Sequence, residues 1–429
     1  MKILYLTGGA GQMYCGSCLR DNALATELIA RGHDVTLLPV YTPTLTDEPN
    51  VSYDKVFFGG ISVYLEQYLP LFRKSPRWLD GIWDSKPMLS FASRRSISTN
   101  PKMLGEMTVS MLKGEAGFQQ KEIAKLLEWL KSEDKPEIIS LPYSLLLGLA
   151  KPLKEAFGKP IVCTLQGEDL FLEGLHEPYR SESKQLISEH LKHIDAFISV
   201  SQYYADFMPD YLGIPVEKIH VVPLGINLEG YSKKERAAFE PFTIGFFARV
   251  APEKGLHVLA DAYRQLRKSG RLQNVRLRAA GYLAPEHRSY LDEIQEAMNR
   301  ADLGSEFKYE GVLDREQKIA FLQSIDVLSV PATYNEPKGI FLLEAMACGV
   351  PVVQPRRGGF TEIVERTGGG VLVESDRVDA LAEGILTLAE DPNLAERLGQ
   401  SGFQKVREHY SVAQMADSAL EAYESVMRP

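Results

Sequence analysis

Tyr334-Asn335-Glu336-Pro337-Lys338-Gly339-Ile340-Phe341-Leu342-Leu343-Glu344-Ala345-Met346-Ala347-Cys348-Gly349-Val350-Pro351-Val352-Val353 is the stretch of this 429-residue chain that decides its fold. The apolar run Ile340 to Cys348 reads as a short buried helix stopped by Gly349, and Pro351 to Gln354 reads as the strand after it. A strand is also expected just upstream, at Val327 to Val330. Strand, loop, helix and strand in that order form the repeating unit of a parallel sheet with helical crossovers. Ligands of such sheets bind at the carboxyl ends of the strands, where helix N-termini offer free N–H groups to phosphate.

The loop carries the chemistry. Gly339 permits close backbone approach where the helix begins, so the N–H groups of Ile340 and Phe341 can face a phosphate, and Leu342 is grouped with that turn. Glu336 precedes the helix and Glu344 lies about one turn inside it, where a carboxylate can accept two bonds from vicinal ribose hydroxyls. A helix dipole alone favours such carboxylates by only about 0.3 to 1 kcal/mol and would require neither this spacing nor Gly339.

Working outward, the same alternation covers most of the chain and forms two sets. The second set runs through strands Phe242 to Phe247, Val275 to Ala280 and Phe307 to Tyr309, with helices Leu256 to Ser269 and Pro285 to Ala301 between them, and helices from about Val378 onward. The first set offers strands Lys2 to Thr7, Val35 to Pro39, Ile138 to Leu141, Ile161 to Leu165, Phe197 to Val200 and Ile219 to Val222, with helices Asp21 to Arg31 and Ser144 to Phe157. The charged run from Lys233 to Glu240, ending at Pro241, suits a linker. The expected organisation is α/β: one domain over 1–230 with an insertion at about 41–121, a second over 241–410, and a C-terminal helix over 411–429. The insertion holds Trp78 and Trp83, and its Phe57-Phe58-Gly59-Gly60-Ile61 and Pro76 to Trp83 segments are candidates to line an acceptor cleft, or simply to cap the sheet edge.

Bulk properties exclude other classes. Apolar residues make up 45% and charged residues 24%, as in ordinary globular enzymes. The net charge of −9 implies no broad cationic face, so nucleic acid is not an expected partner. No run approaches the roughly 18 consecutive apolar residues of a membrane span, although loose peripheral contact through Trp78 and Trp83 stays open. The start of the chain reads as a strand, not a signal peptide, and the cytoplasm is the expected location. The four cysteines do not make a disulfide framework.

The turn after the first strand, Gly8-Gly9-Ala10-Gly11-Gln12-Met13-Tyr14-Cys15-Gly16, is a second place for a diphosphate to approach, with Gly11 and Gly16 as the candidate contacts. A dinucleotide fingerprint would need glycine at Tyr14 and an acid ending the second strand, which instead ends Pro39-Val40-Tyr41, so a nicotinamide enzyme is disfavoured. Cys15-Gly16-Ser17-Cys18 has redox-motif spacing, but no zinc ligand set accompanies it. Gln166, Glu168 and Asp169 follow the strand ending at Leu165 and are candidates for sugar or acceptor contacts.

The decisive stretch resembles the signature of the family 4 retaining glycosyltransferases, the group 1 glycosyl transferases of GT-B fold. Arg249-Val250-Ala251-Pro252-Glu253-Lys254-Gly255 is similar to that family's diphosphate-gripping Arg and Lys-Gly pair, Val221 to Asn227 to its interdomain crossover, and Arg31 to Val35 to the end of its first helix. Gly311-Val312-Leu313 sits where the family holds the nucleobase, and Phe58 to Tyr64 is faintly similar to the N-domains of glycogen and starch synthases. Two departures stand out: Lys338 replaces an aromatic residue, and Gln166 stands where many members carry a histidine.

The resemblance implies two Rossmann-like domains facing a deep cleft, with a UDP-, GDP- or ADP-linked sugar as donor. The acceptor would be a hydroxyl of a glycan, lipid or small molecule. Arg249 and Lys254 would meet the departing diphosphate, Glu336 would hold hydroxyls of the donor hexose, and the anomeric configuration would be retained. With two cations in place of a metal and no cofactor, the transfer is expected to be metal-independent. A non-catalytic sugar-nucleotide-binding protein, or a phosphorylase or epimerase of the same fold, is the alternative.

Overall fold

The computed structural model describes residues 1–9, 14–53, 56–58, 67, 101–233 and 241–427, with the backbone alone for 101–103. Gly11, Trp78, Trp83, most of the 41–121 insertion and the charged run at 234–240 therefore lie outside the described residues. The chain forms two compact units, Met1–Pro223 together with Met415–Pro429, and Leu224–Gln414.

The first unit is built on a six-stranded sheet of β1 (Lys2–Thr7), β2 (Asp34–Pro39), β3 (Ile138–Leu141), β4 (Ile161–Leu165), β5 (Ala196–Ser199) and β6 (Ile219–Val221), in the order β2-β1-β3-β4-β5-β6. Every pairing is parallel. Because β2 lies on one side of β1 and β3 on the other, the order reverses between β1 and β3, and the loops leaving those two strands diverge there. Strands β1, β3, β4 and β5 are buried on both faces, which explains their near-continuous apolar runs. Phe57 and Phe58 are core residues, 5% and 0% exposed, with Phe57 packed on Trp129 at 4.9 Å between ring centroids. Of the two expectations for this segment, a lining of an acceptor cleft or a cap on the sheet edge, Phe57 and Phe58 fit the second: they seal the sheet.

The second unit repeats the plan with β7 (Phe242–Phe247), β8 (Val275–Ala280), β9 (Phe307–Tyr309), β10 (Val327–Leu328), β11 (Val352–Pro355) and β12 (Gly370–Val373), in the order β12-β11-β10-β7-β8-β9. All pairings are again parallel, and the order reverses between β7 and β10. Each sheet thus has one switch point, and each switch point gathers candidate residues.

The helices refine the sequence reading. The first begins at Gly16, earlier than the expected Asp21, and runs to Ala30 with Cys15 at its N-cap. The segment Ser144–Phe157 is a 3-10 turn, Ser144–Leu149, followed by the helix Ala150–Phe157. The reason is Gly148, where a Cβ would stand 2.2 Å from the Met111 carbonyl oxygen, so backbone packs directly on backbone there. The C-terminal helix Val412–Met427 buries Tyr423 completely, and its Asp417 pairs with Arg31 at 2.5 Å. Among the described residues no helix is long and apolar enough to cross a membrane.

Candidate active site

In the second unit, β7 ends at Phe247 and delivers Arg249 two residues later; the chain then makes a 3-10 turn, Pro252–Lys254, closed by Gly255 at φ +77°. A Cβ on Gly255 would lie 2.0 Å from the Pro331 carbonyl oxygen, so glycine is required for this turn to pack on the loop leaving β10. The Thr333 N–H donates to the Glu253 carbonyl at 2.9 Å and ties the same two loops. Adjacent strands therefore bring Lys254 to the loop that carries Tyr334 and Glu336.

There Lys254 Nζ donates to the Tyr334 hydroxyl at 2.8 Å and pairs with Glu336 Oε2, to which Tyr334 also donates its proton. The Glu336 backbone is fixed as well. Its carbonyl accepts from the Gly359 N–H at 2.8 Å, and Gly358, at φ +51°, leaves no room for a Cβ, which would stand 2.5 Å from that oxygen. Burial works to raise the Glu336 carboxyl, but the charges of Lys254 and Lys338 and the hydrogen bonds from Lys254 and Tyr334 outweigh it and hold the group down at about 2. Glu336 is thus a buried hydrogen-bond acceptor held in its ionised form at neutral pH. Arg249 pairs with Glu253 and is the more open of the two cations, its side chain 39% exposed against 13% for Lys254.

Gly339, at φ +107°, turns this loop into the helix Ile340–Ala347. The Leu342 N–H is bonded to the Gly339 carbonyl at 2.9 Å, so Ile340 and Phe341 carry the first-turn N–H groups that no intrahelical carbonyl can reach. Leu342 differs from its two neighbours, its side chain being wholly buried. Glu344 Oε1 accepts from Lys318 Nζ at 2.6 Å and from the Tyr231 hydroxyl at 3.0 Å. Among the described residues, Glu344 Oε2 makes no hydrogen bond within the protein. Lys318 lies on the helix Arg315–Gln323, which follows Gly311-Val312-Leu313 after β9. Val312 is half exposed, and the loop is anchored by the Gly281 N–H donating to the Gly311 carbonyl at 2.8 Å.

In the first unit, the loops after β1, β3 and β4 converge. Gly9 at φ +73° approaches Thr42 so closely that a Cβ would stand 1.8 Å from its carbonyl oxygen, and a Cβ on Gly8 would meet the Tyr143 hydroxyl at 2.8 Å. Gln166 Nε2 donates to the Pro142 carbonyl at 2.7 Å while its buried Oε1 has no partner. Glu168 accepts from the N–H groups of Ser144 (3.1 Å), Gln166 (2.8 Å) and Gly167 (3.0 Å). It therefore holds two loops together. Asp169 accepts from the Tyr204 hydroxyl at 2.7 Å. Gly16 opens the first helix beside these loops in sequence, at the far end of the glycine-rich turn.

Of the residues singled out from sequence, Lys254 and Glu336 are in direct contact, and Arg249 stands on the same turn as Lys254. Gly339, Ile340 and Phe341 follow Glu336 directly, whereas Glu344 faces a separate partner set. Tyr334, Lys318, Tyr231 and Tyr143 were missed. Tyr334 stood two positions before Glu336 in the quoted stretch, but nothing in its spacing showed that it meets both Lys254 and Glu336.

Residues 229–405 match the family described as "Glycosyl transferases group 1", and residues 110–229 that described as "Glycosyltransferase Family 4". The protein named "Putative colanic acid biosynthesis glycosyltransferase WcaL" in Escherichia coli K12 is 27% identical over 236 residues, covering 54% of this chain and 55% of the relative. The alpha-maltose-1-phosphate synthase of Mycolicibacterium smegmatis is 30% identical over 255 residues, covering 54% and 63%. The chain thus spans little more than half the length of these curated relatives. Among solved structures, Anabaena HepE in complex with UDP superposes with a TM-score of 0.69 at 18% identity, covering 99% of this chain and 100% of that one. Sucrose-phosphate synthase from Thermosynechococcus elongatus gives 0.71 at 18% identity, covering 99% and 98%.

Proposed function

The chain belongs to the group 1 glycosyltransferases of family 4, with the GT-B fold, and on that premise we propose that it moves a hexose from a nucleotide-diphosphate sugar to an acceptor hydroxyl with retention of configuration. The observation that carries this reading is the buried Glu336 carboxylate, held by Lys254 and Tyr334 at the switch point between β7 and β10, just before a helix start with free N–H groups.

Departure of a nucleoside diphosphate builds negative charge that must be met by groups already in place. Lys254, Arg249 and the N–H groups of Ile340 and Phe341 supply such groups. Ionised Glu336 accepts hydrogen bonds from sugar hydroxyls but has no proton to give near neutral pH, so the acceptor's proton leaves on the diphosphate oxygen in a front-face step. Glu344 takes ribose hydroxyls through Oε2 while Lys318 and Tyr231 fix Oε1, and the Val312–Leu313 loop meets the base. The known complexes of HepE contain UDP and UDP-glucose, which makes a uridine-linked donor the first to test.

The test is a panel of UDP-, GDP- and ADP-sugars with the purified protein in excess chelator, reading thermal stabilisation and slow release of free nucleotide. We expect one donor to stabilise the protein and be hydrolysed without metal, with hydrolysis lost in Glu336→Ala. Binding without turnover would favour a non-catalytic nucleotide-sugar-binding protein, and turnover abolished by the chelator would refute metal independence.

A further inference from the structure

The cysteine pair on the first helix is not used by the proposed transfer, and its geometry is unlike that of the other two cysteines. All four cysteines are thiols; Cys163 lies inside β4 and Cys348 at the end of the helix Ile340–Ala347, both buried and far apart in sequence from any other cysteine. Cys15 is the N-cap of the helix Gly16–Ala30, with extended backbone at φ −112° and ψ 127°, and Cys18 is the third residue of that helix. A side chain at the N-cap ordinarily folds over the third residue, which is why capping oxygens bond there. Here sulfur occupies both positions, which sets the Cys15 and Cys18 side chains against one another at the start of the helix. The two positions lie within one helical turn, so closing a sulfur–sulfur bond of about 2.0 Å asks chiefly for side-chain torsion.

We propose that Cys15 and Cys18 are a reversible dithiol–disulfide couple, with half-buried Cys15 as the attacking sulfur and buried Cys18 as the resolving one.

The two positions differ in the way such a couple requires. Cys15 is the more accessible, and the first-turn N–H groups beside it favour a thiolate. Cys18 is 2% exposed; neighbouring Cys15, its burial and the Asp21 carboxylate all push its thiol well up, so it keeps its proton until Cys15 has been oxidised. Surrounding charges act in the same sense. Asp21 accepts from Thr7 Oγ1 at 2.9 Å, from the Tyr5 hydroxyl at 3.1 Å and from Arg20 Nη1 at 3.1 Å, so the Arg20 charge is already engaged by a carboxylate. Tyr143, partly buried beside the pair, has its phenol pushed well up, by desolvation first, and is neutral. Among the described residues no group of three metal-ligating side chains includes the pair.

With hydrogen peroxide as oxidant the step balances. The Cys15 thiolate attacks one peroxide oxygen; an S–O bond forms, the O–O bond breaks, and hydroxide leaves to become water. The Cys18 sulfur then attacks the Cys15 sulfur; the S–S bond forms, the S–O bond breaks, and the second water carries off the Cys18 proton. Two electrons pass from the two sulfurs to one peroxide. The product ties the N-cap to the first helical turn, and so fixes the helix end of the glycine-rich turn whose other end is Gly8-Gly9.

The full-length protein is treated with hydrogen peroxide, the remaining thiols are alkylated under denaturing conditions, and the tryptic peptide Ile3 to Arg20, which contains both cysteines, is weighed. The expected product is that peptide lighter by about two mass units and carrying no alkyl group, returned to two alkylated thiols by dithiothreitol. In Cys18→Ser, Cys15 should be trapped as a sulfenic acid by dimedone; in the folded wild type, iodoacetamide should label Cys15 well ahead of Cys18. Two alkylatable thiols after oxidation, sulfinic acid at Cys15 without a cross-link, or faster labelling of Cys18 would each overturn the proposal. These readouts do not involve glycosyl transfer, so they stand apart from the functional reading.

Discussion

Lys254 Nζ lies 2.8 Å from the hydroxyl oxygen of Tyr334, and both groups donate to the same oxygen of Glu336. The phenol therefore does two jobs: it accepts from the ammonium and donates to the carboxylate, so the cation and anion are held at fixed directions even while a ligand competes for either. Tyr334→Phe removes both bonds but keeps the ring over which Lys254 lies at 5.0 Å. Hydrogen bonds to charged groups are worth about 1.5 to 3 kcal/mol, so turnover of the donor should fall roughly 10- to 100-fold. Steady-state kinetics check this. An unchanged kcat would mean that Tyr334 merely fills space.

Lys254 and Arg249 predict opposite balances of stability and binding. Lys254 is the ion-pair partner of a nearly inaccessible carboxylate, and breaking such a pair costs about 3 to 5 kcal/mol because a buried charge is left alone. Lys254→Ala should lower stability by an amount near that range, and adding Glu336→Gln should restore part of it, as read from urea unfolding of the four proteins of the double-mutant cycle. Arg249 and Glu253 are more open to solvent, so Arg249→Ala should change stability by less than about 1 kcal/mol while weakening nucleotide-sugar binding about tenfold or more. Equal stability losses in the two variants would contradict this division.

Much of this was legible in the sequence because parallel strands buried on both faces write long apolar runs, and because the loop after each run is where chemistry collects. Glu336 and Gly339 were found that way, and Lys254 through the family resemblance. What the sequence hid were relationships that cross the fold. The Lys318 bond to Glu344 joins helices far apart in the chain, and Glu168 proved to be a staple for the Ser144 and Gln166 backbones, which its position in a loop could not disclose. The first helix starts early because Cys18 and Arg20 are buried by packing, which overrides the poor helix propensity of Gly16 and Ser17. β12 escaped notice because it opens on glycine after Gly368-Gly369 and has only three apolar residues to mark it.

Gly255 should be among the least replaceable residues of the second unit. Its φ of +77° already costs an L-residue about 1 to 3 kcal/mol, and a Cβ 2.0 Å from the Pro331 carbonyl would force the Lys254 turn away from the β10 loop. Gly255→Ala should therefore lower the melting temperature and also abolish donor-induced stabilisation. Gly158→Ala is the control: it too has positive φ, at +62°, but nothing stands within 4 Å of its added Cβ, so only the strain remains. Similar losses in the two variants would show that the contact with Pro331 contributes nothing.

The depressed carboxyl of Glu336 fixes the sign of one pH dependence. Its value in the folded protein is about 2 against an ordinary 4.5, so the fold prefers the ionised form. That preference stabilises the protein fully above the ordinary value and is lost as pH falls through 4.5 toward the folded value of about 2. The stability difference between wild type and Glu336→Gln should accordingly be flat from neutral pH down to about pH 5 and shrink steadily below it. Chemical unfolding at a series of pH values measures it directly. The same ionisation leaves no step in the rate profile of the wild type between about pH 5 and 8 that disappears in Glu336→Gln; such a step would mean that Glu336 takes up a proton during turnover and acts as an acid, contrary to the role proposed for it as a fixed acceptor for sugar hydroxyls.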